Sequence, residues 1–412
     1  MKLLCEKNKL QEALNLVGRT ASARTTLPIL ECVLFIAEEG VGITLCANDM
    51  EMSIKTTPIQ ADIEVSGKVA LNAKLFTEII RKMPGDYIEI ETDDKLITRC
   101  KSGQAKLEIS GLPAEEFPLT PEEELEDAND SYFLKSSILR DMIKQTIFSV
   151  SLDPSKVILT GELLEVKEDA LRIVAVDMFR ISYRSVGLGV GTAEGNAEAS
   201  GGGTPKSDAV ACGSDIPKSG AVANGVGIPE SSAVVPAKAL NELTRAVSGD
   251  NEEEISFRFT SKRAVFETAD FTMSVRLLEG DFIRYNQIFN KDFTTMMVIN
   301  RSMLLGSLER SVLVAMENRQ ISITLDIKDD ILEITSKSEK GQTYDEIPCE
   351  TDGTDMTIYF NPRYLIDALR AIEEETIVIK FNTPRSPCTI ESLTGETPTE
   401  YKYLIVPLRG PA

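Results

Sequence analysis

The stretch that decides the reading is LNAKLFTEIIRKM, residues 71–83, because it occurs twice more in altered form, as VPAKALNELTRAV from Val235 and FNPRYLIDALRAI from Phe360. Aligned, the copies put Lys74, Lys238 and Arg363 in one column, Arg81, Arg245 and Arg370 in another, and Glu78, Glu242 and Asp367 between them. Apolar residues fall at i, i+3, i+4 and i+7: Phe76, Ile79, Ile80 and Met83 in the first copy, Leu365, Ala368, Leu369 and Ile372 in the third. That is the spacing of an amphipathic helix. At roughly 100° per residue the two basic columns lie about 20° apart, opposite the apolar stripe. Each copy therefore carries a small basic ridge facing away from its core. One copy alone would read as a solvated helix face, and recurrence at fixed positions argues against that reading.

A second helical pattern repeats in step with the first. Leu10, Ala13, Leu14 and Val17 match Leu139, Met142, Ile143 and Thr146, then Leu304, Ser307, Leu308 and Ser311. These helices could add Lys7, Lys9, Arg140, Lys144, Arg301 and Arg310 to the ridge. Between the helices lie short β-rich runs broken by turns, such as Ile29 to Ala37, Gly42 to Cys46 and Met50 to Thr56. The order is helix, strands, helix, strands, three times over. It predicts an α+β chain of three repeated domains, each with two helices packed on antiparallel sheets, spanning 1–128, 129–292 and 293–412. An acidic segment, LTPEEELEDAND from Leu119, reads as the first linker. The middle repeat is about 40 residues longer than the others. The excess, about 187–233, is rich in Gly, Ala and Ser, lacks aromatics and contains a tandem unit with Pro205, Pro217 and Pro229 at equal spacing. Such composition cannot bury a core and is expected to form a flexible loop.

Composition restricts the chemistry. The 412 residues hold 44 basic and 65 acidic side chains, a net charge of −21, so the surface as a whole repels nucleic acid and any DNA contact must be local. Seven scattered cysteines with no C-x-x-C pair point to free thiols and a reducing compartment, with no zinc cluster. The N-terminal apolar run is too short for a signal peptide, and no stretch approaches the ~18 apolar residues of a membrane span. A cytoplasmic protein with no membrane partner is expected. Histidine is absent, which removes Ser-His-Asp and Cys-His machinery and every His-based metal site. No phosphate-binding G-x-x-x-x-G-K-[ST] loop is present. The recurring Asp49 and Asp177 are explained by turn formation. No catalytic constellation, metal site or cofactor site survives, so the protein is not expected to be an enzyme.

Three features coincide: the triplicated helix-strand unit, Arg24-Thr25-Thr26-Leu27-Pro28-Ile29-Leu30 after the first helix, and the ending Tyr403-Leu404-Ile405-Val406-Pro407-Leu408-Arg409. With Leu112-Pro-Ala-Glu-Glu-Phe-Pro118, Val176-Asp177-Met178-Phe179-Arg180-Ile181 and Glu279-Gly280-Asp281-Phe282, they make the chain resemble the bacterial DNA polymerase III β subunits, the sliding clamps, over everything outside the insert. The resemblance implies a ring built from two chains head to tail, with helices lining a channel for double-stranded DNA. Such a ring is a processivity factor: it binds DNA without regard to sequence and tethers the replicative polymerase, the clamp loader and repair proteins through short peptides.

The family's partner cleft then falls on Leu159, Val176, Met178, Arg180, Ile181, Ile283, Ile288, Leu404, Val406, Pro407, Leu408 and Arg409. Met178 stands where the family has a small residue, Phe179 where it has a more polar one, and Ile283 where it has proline. The homodimer interface is expected to set Leu107 and Ile109 against Leu313 and Val314. Arg24, Lys74 and Lys156 sit at or beside family DNA contacts, while Arg81, Lys82, Lys238, Arg245, Arg363 and Arg370 rest on the ridge argument alone. Two other readings are an enzyme acting on nucleotides or DNA ends, which the composition disfavours, and a peptide-binding repeat scaffold unrelated to DNA.

Overall fold

The structure, a computed structural model, describes residues 1–21, 26–121, 130–188, 228–247, 253–289, 292–315, 321–393 and 399–409. Six α-helices occur among them: α1 (Lys7–Val17), α2 (Ala73–Lys82), α3 (Ser136–Lys144), α4 (Ala237–Ala246), α5 (Arg301–Ala315) and α6 (Pro362–Ala371). They pack in pairs, α1 on α2, α3 on α4 and α5 on α6, one pair per repeat.

The quoted stretch divides between two elements. Leu71 and Asn72 end the strand Gly67–Asn72, and the Asn72 side chain accepts from Leu75 N at 3.0 Å, which starts α2. Asn361 accepts from Arg363 N at 3.1 Å with Pro362 in the first turn of α6. The copies end alike, in an extended apolar residue, Met83, Val247 or Ile372, that returns to the core. Every apolar residue aligned between the repeats is buried, Thr146, Ser307 and Ser311 included. Two segments differ from the sequence reading. Ile29 belongs to a 3-10 turn, Pro28–Glu31, and the strand begins at Cys32. The helical pattern read through Thr146 stops at Lys144, and Thr146 Oγ1 turns back onto the Met142 carbonyl.

Three antiparallel sheets carry the helices. The five-stranded sheet, in repeat 1, runs Ala61–Val65, Lys2–Glu6, Tyr87–Thr92, Ile97–Ser102, Ala105–Ser110. The eight-stranded sheet crosses from repeat 2 to repeat 1 where Phe271–Arg276 pairs with Met52–Thr56. The twelve-stranded sheet crosses from repeat 2 to repeat 3 where Arg180–Gly187 pairs with Glu400–Ile405. One core cluster runs through repeats 1 and 2, and a second fills repeat 3.

Position by position, one core residue breaks the threefold pattern. Val33 lies opposite Leu71 and Ile323 opposite Phe360, and both are buried aliphatics. Their counterpart opposite Val235 is Glu162, fully buried, with no well-formed hydrogen bond to either carboxylate oxygen among the described residues and only the Thr146 side chain opposing the effect of burial. Burial pushes this carboxyl up to about 8. The tandem unit of the insert lies outside the described residues except for its end, which forms the strand Ser231–Pro236 leading into α4.

Candidate nucleic-acid interface and partner cleft

The basic ridge is present on all three second helices and is partly neutralised, by Glu78 and Glu242 on the same helices and by Glu309 and Asp49 on other elements. Arg81 pairs with Glu78 at 2.5 Å, Arg245 with Glu242 at 2.6 Å and Arg370 with Glu309 at 2.8 Å. Lys238 reaches across the first joint to Asp49 at 2.6 Å. Burial opposes its charge, and the Asp49 carboxylate more than compensates, holding the ammonium above its usual value. Lys74, Lys82 and Arg363 are exposed and carry no ion pair among the described residues. Arg24 lies outside the described residues. Lys156 lies away from the ridge, with its Nζ against Met178 Sδ at the lip of the cleft. The first helices contribute less than expected. Lys7 donates to the Met83 carbonyl at 2.6 Å, Arg301 donates to the Leu369 carbonyl at the end of α6 at 3.3 Å and to Glu374 O at 2.8 Å, and Arg310 is held by Asp345 at 2.8 Å. These cations hold the fold.

The two joints share one register. Met52, Ser53, Ile54 and Thr56 face Val275, Ser274, Met273 and Phe271, just as Arg180, Ile181, Ser182 and Arg184 face Ile405, Leu404, Tyr403 and Tyr401. On the helix side of the first joint Met52, Ile54, Phe271, Met273 and Val275 form a continuous apolar core. On the helix side of the second stand two arginines. Arg180 binds Asp177 at 3.0 Å and Asp367 of α6 at 2.6 Å, with its guanidinium 4.7 Å from the Tyr364 ring centre. Arg184, buried, lies 4.6 Å from the Tyr401 ring centre and donates to Thr399 Oγ1 at 3.0 Å and to the Ala371 carbonyl at 3.2 Å. Arg180, expected in the cleft, is thus turned toward the helices and bolts repeat 2 to repeat 3.

The far side of the second joint is apolar. Leu159, Val176, Ile181 and Leu404 join Leu163, Val174, Tyr183, Val234 and Tyr285 in one buried cluster, with Val406 packed against it. Met178, Ile283 and Ile288 are exposed at its edge, Met178 by 61%. Pro407 and Leu408 are half-buried and Arg409 is exposed. The edge is held in place by Tyr285, whose hydroxyl donates to Glu165 at 2.6 Å and whose backbone bonds to Ile283 and Ile288. Burial, then the hydrogen bond to Glu165, keeps this phenol protonated. Asp177 shapes the lip, its Oδ1 accepting from Phe179 N at 2.7 Å and Arg180 N at 2.9 Å, which is the turn role read from sequence. Sequence reasoning missed Leu163, Val174, Tyr183 and Tyr285. Alternation in the strands Gly161–Lys167 and Ala170–Val176 signals the first two, and nothing local signals the 3-10 turn that carries Tyr285.

The equivalent far faces differ between the repeats. Each repeat closes with a leucine bound to a matching edge strand: Leu112 N to Ala70 O at 2.8 Å, Leu278 N to Val234 O at 2.9 Å, Leu408 N to Tyr359 O at 2.7 Å. In repeat 1 the following residues cover a small core of Cys32, Leu34, Cys46 and Ala70 with Ala114 and Phe117. In repeat 3 the matching positions are Thr324, Thr335 and Tyr359, which need no cover. Repeat 2 has the larger apolar face, covered in part by Leu278, Phe282 and Phe289, with Met178, Ile283 and Ile288 exposed beside it.

Among the described residues, two of the open strand edges bear on a third joint: Ala105–Ser110 pairs only with Ile97–Ser102, and Gly341–Ile347 pairs only with Ile331–Ser338. By register they are the counterparts of the strands that meet at the other two joints. Leu107 is 44% and Leu313 70% exposed, while Ile109 is buried and Val314 half-buried. No described helix is long and apolar enough to cross a membrane.

Comparison with known proteins agrees along the chain. Family models described as the N-terminal, central and C-terminal domains of the DNA polymerase III beta subunit match residues 1–121, 133–198 and 286–409. The Beta sliding clamp of Synechococcus elongatus is 30% identical over 99% of both chains, and that of Bacillus subtilis 28% identical over 99% of this chain and 100% of its own. Among solved structures, a protein of Eubacterium rectale assigned as a DNA polymerase III beta subunit superposes with a TM-score of 0.85 at 32% identity, covering 100% of both chains. The DNA polymerase sliding clamp of Bacillus subtilis does so with a TM-score of 0.85 at 27% identity, also over 100% of both.

Proposed function

Because the chain belongs to the DNA polymerase III beta subunit family, the beta sliding clamps, we propose that two copies close into a ring around duplex DNA and hold partners by their peptides. The protein is a DNA polymerase processivity factor of a family without catalytic activity. The observation that carries the ring is the repeated joint. Two joints of identical register link the three repeats, and each end of the chain offers one half of a third. Two chains joined head to tail use up both halves and leave no open edge at either joint. Extending the register places Leu107 opposite the partner's Thr343 and Lys106 opposite Tyr344 of the partner subunit, with Leu313 and Val314 covering Leu107 and Ile109. We expect Leu107→Cys with Thr343→Cys to form an intersubunit disulfide, since directly opposed strand residues bring Cα atoms to about 4.5–5.5 Å. A cross-link at Gln342→Cys in place of Thr343→Cys would refute the register.

The helix faces of six repeats would line the channel. There Lys74, Lys82 and Arg363 reach phosphate directly, and Arg24, Arg81, Lys156, Lys238, Arg245 and Arg370 complete the assigned contacts. Such contacts ignore base sequence and weaken with salt. The acidic excess then belongs outside the ring. The apolar groove takes short peptides of the polymerase, the clamp loader and repair proteins, and tethering needs no strong DNA contact of its own. A cytoplasmic location suits the six described free thiols, all buried. The test is topological. Loaded on nicked circular DNA by a clamp loader, the ring stays on the circle and slides off when the DNA is cut open. Retention on linear DNA, or no loading, would favour a scaffold unrelated to DNA.

A further inference from the structure

Phe179 is built into the lip of the groove in an unusual way. Its backbone is fixed at both ends: the amide donates to Asp177 Oδ1 at 2.7 Å and the carbonyl accepts from Val406 N at 2.8 Å. Its ring is not buried, being 47% exposed. It lies on Tyr364 of α6, ring centres 5.8 Å apart and planes 17° from parallel. Tyr364 is itself positioned by the Arg180 guanidinium, 4.7 Å from its ring centre, which is anchored to Asp367. An exposed ring on a clamped backbone has one freedom, rotation about its own side-chain bonds. In repeat 1 the matching turn residue is Glu51, which makes no such contact, so the stack is particular to the groove.

Resting on the cleft reading above, we propose that Phe179 sets the peptide specificity of this clamp by occupying the Tyr364 ring face until an aromatic side chain of a partner peptide takes its place. In the cleft reading, aliphatic anchors pack beside Met178, which is exposed, and Val406, which is half-buried. The Tyr364 face is reached only by swinging Phe179 away. Parallel aromatic contacts are worth about 0.5–1.5 kcal/mol beyond the area they bury, so the exchange is nearly balanced for an aromatic ligand and unfavourable for one that lacks a ring. Apparent affinity falls by the fraction of molecules in the open state.

The experiment uses the full chain and two fluorescein-labelled peptides, Gly-Ser-Leu-Ser-Leu-Phe and Gly-Ser-Leu-Ser-Leu-Ala, followed by anisotropy. Phe179→Ala should tighten the Phe peptide by roughly 2- to 10-fold, the inverse of losing one aromatic stack, and leave the Ala peptide unchanged. Tyr364→Leu should bring the Phe peptide down to the Ala peptide's affinity. Phe179→Leu, which keeps bulk without the stack, should behave as Phe179→Ala, and unchanged urea midpoints show that each variant is folded. Equal weakening of both peptides by Phe179→Ala, or no effect on either, overturns the proposal. Met178→Glu separates the two claims: it should abolish both peptides, and if it does so while Phe179→Ala changes nothing, the cleft stands and the exchange falls. Undiminished binding to Met178→Glu, or no binding to the wild type, removes the cleft reading and the proposal with it.

Discussion

Repeat 2 meets its two neighbours through strand pairs of the same register that differ in where their polar residues lie. At the joint with repeat 1 the helix side is apolar and the far side polar, with Ser53 facing Ser274 and Lys55 facing Thr272. At the joint with repeat 3 the helix side holds Arg180 and Arg184, and the far side holds Ile181, Tyr183 and Leu404. A strand pair buries one face fully and shows the other to whatever comes next. The second joint keeps Tyr401, Tyr403 and Ile405 buried on its helix side and adds an apolar far face of Ile181, Tyr183 and Leu404. The cost is two desolvated guanidinium groups, which the structure meets with carboxylates, carbonyls and aromatic faces rather than with a core.

The largest expected effect lies in repeat 2 itself, whose core both joints share. The native Glu162 carboxyl holds its proton up to about 8, whereas the unfolded one loses it near 4.5. Between those values the folded state binds more protons, so stability falls as pH rises and the loss is complete above the folded value. Glu162→Val should stabilise the chain by roughly 5 kcal/mol at high pH and little at low pH, flattening the pH profile of urea unfolding. An unchanged slope would show that Glu162 is ionised in the fold.

Next comes Arg180→Ala, which leaves Asp367 without its partner and opens the second joint. We expect about 1–3 kcal/mol of destabilisation by urea titration, less than for a fully buried pair because Asp367 is partly exposed, together with weaker peptide binding. Ile54→Ala at the first joint should cost about 3 kcal/mol through lost burial and an unfilled cavity, with peptide affinity unchanged. A matching loss of peptide binding would mean that the joints are coupled and the comparison too simple. The smallest effect is expected of Lys238→Ala, about 1 kcal/mol or less, since its ammonium is largely exposed and only the Asp49 carboxylate is enclosed.

Much of this architecture is legible in the sequence because it is written three times. The helices, their buried positions and the aspartate turns follow from period and recurrence, which need only local chemistry. What escaped is what differs between copies. Thr56 and Arg184 occupy the same register position, and no local pattern tells which of them meets a tyrosine pair from another repeat. The direction of Arg180 depends on Asp367, 187 residues later. Glu162 reads as a polar residue in an alternating strand, and only the alignment with Val33 and Ile323 exposes it as a carboxylate in a core position.

The ion pairs within the ridge bear on how fast such a ring moves. A guanidinium already held by a carboxylate exchanges one anion for another when a phosphate arrives, so Arg81, Arg245 and Arg370 gain little at any one position along a duplex. In the proposed ring these three paired arginines would offer a shallow landscape, leaving the deeper contacts to Lys74, Lys82 and Arg363. Diffusion along a line slows steeply as the roughness of that landscape grows beyond thermal energy, about 0.6 kcal/mol at room temperature. The acids on these helices act, in that sense, as a lubricant.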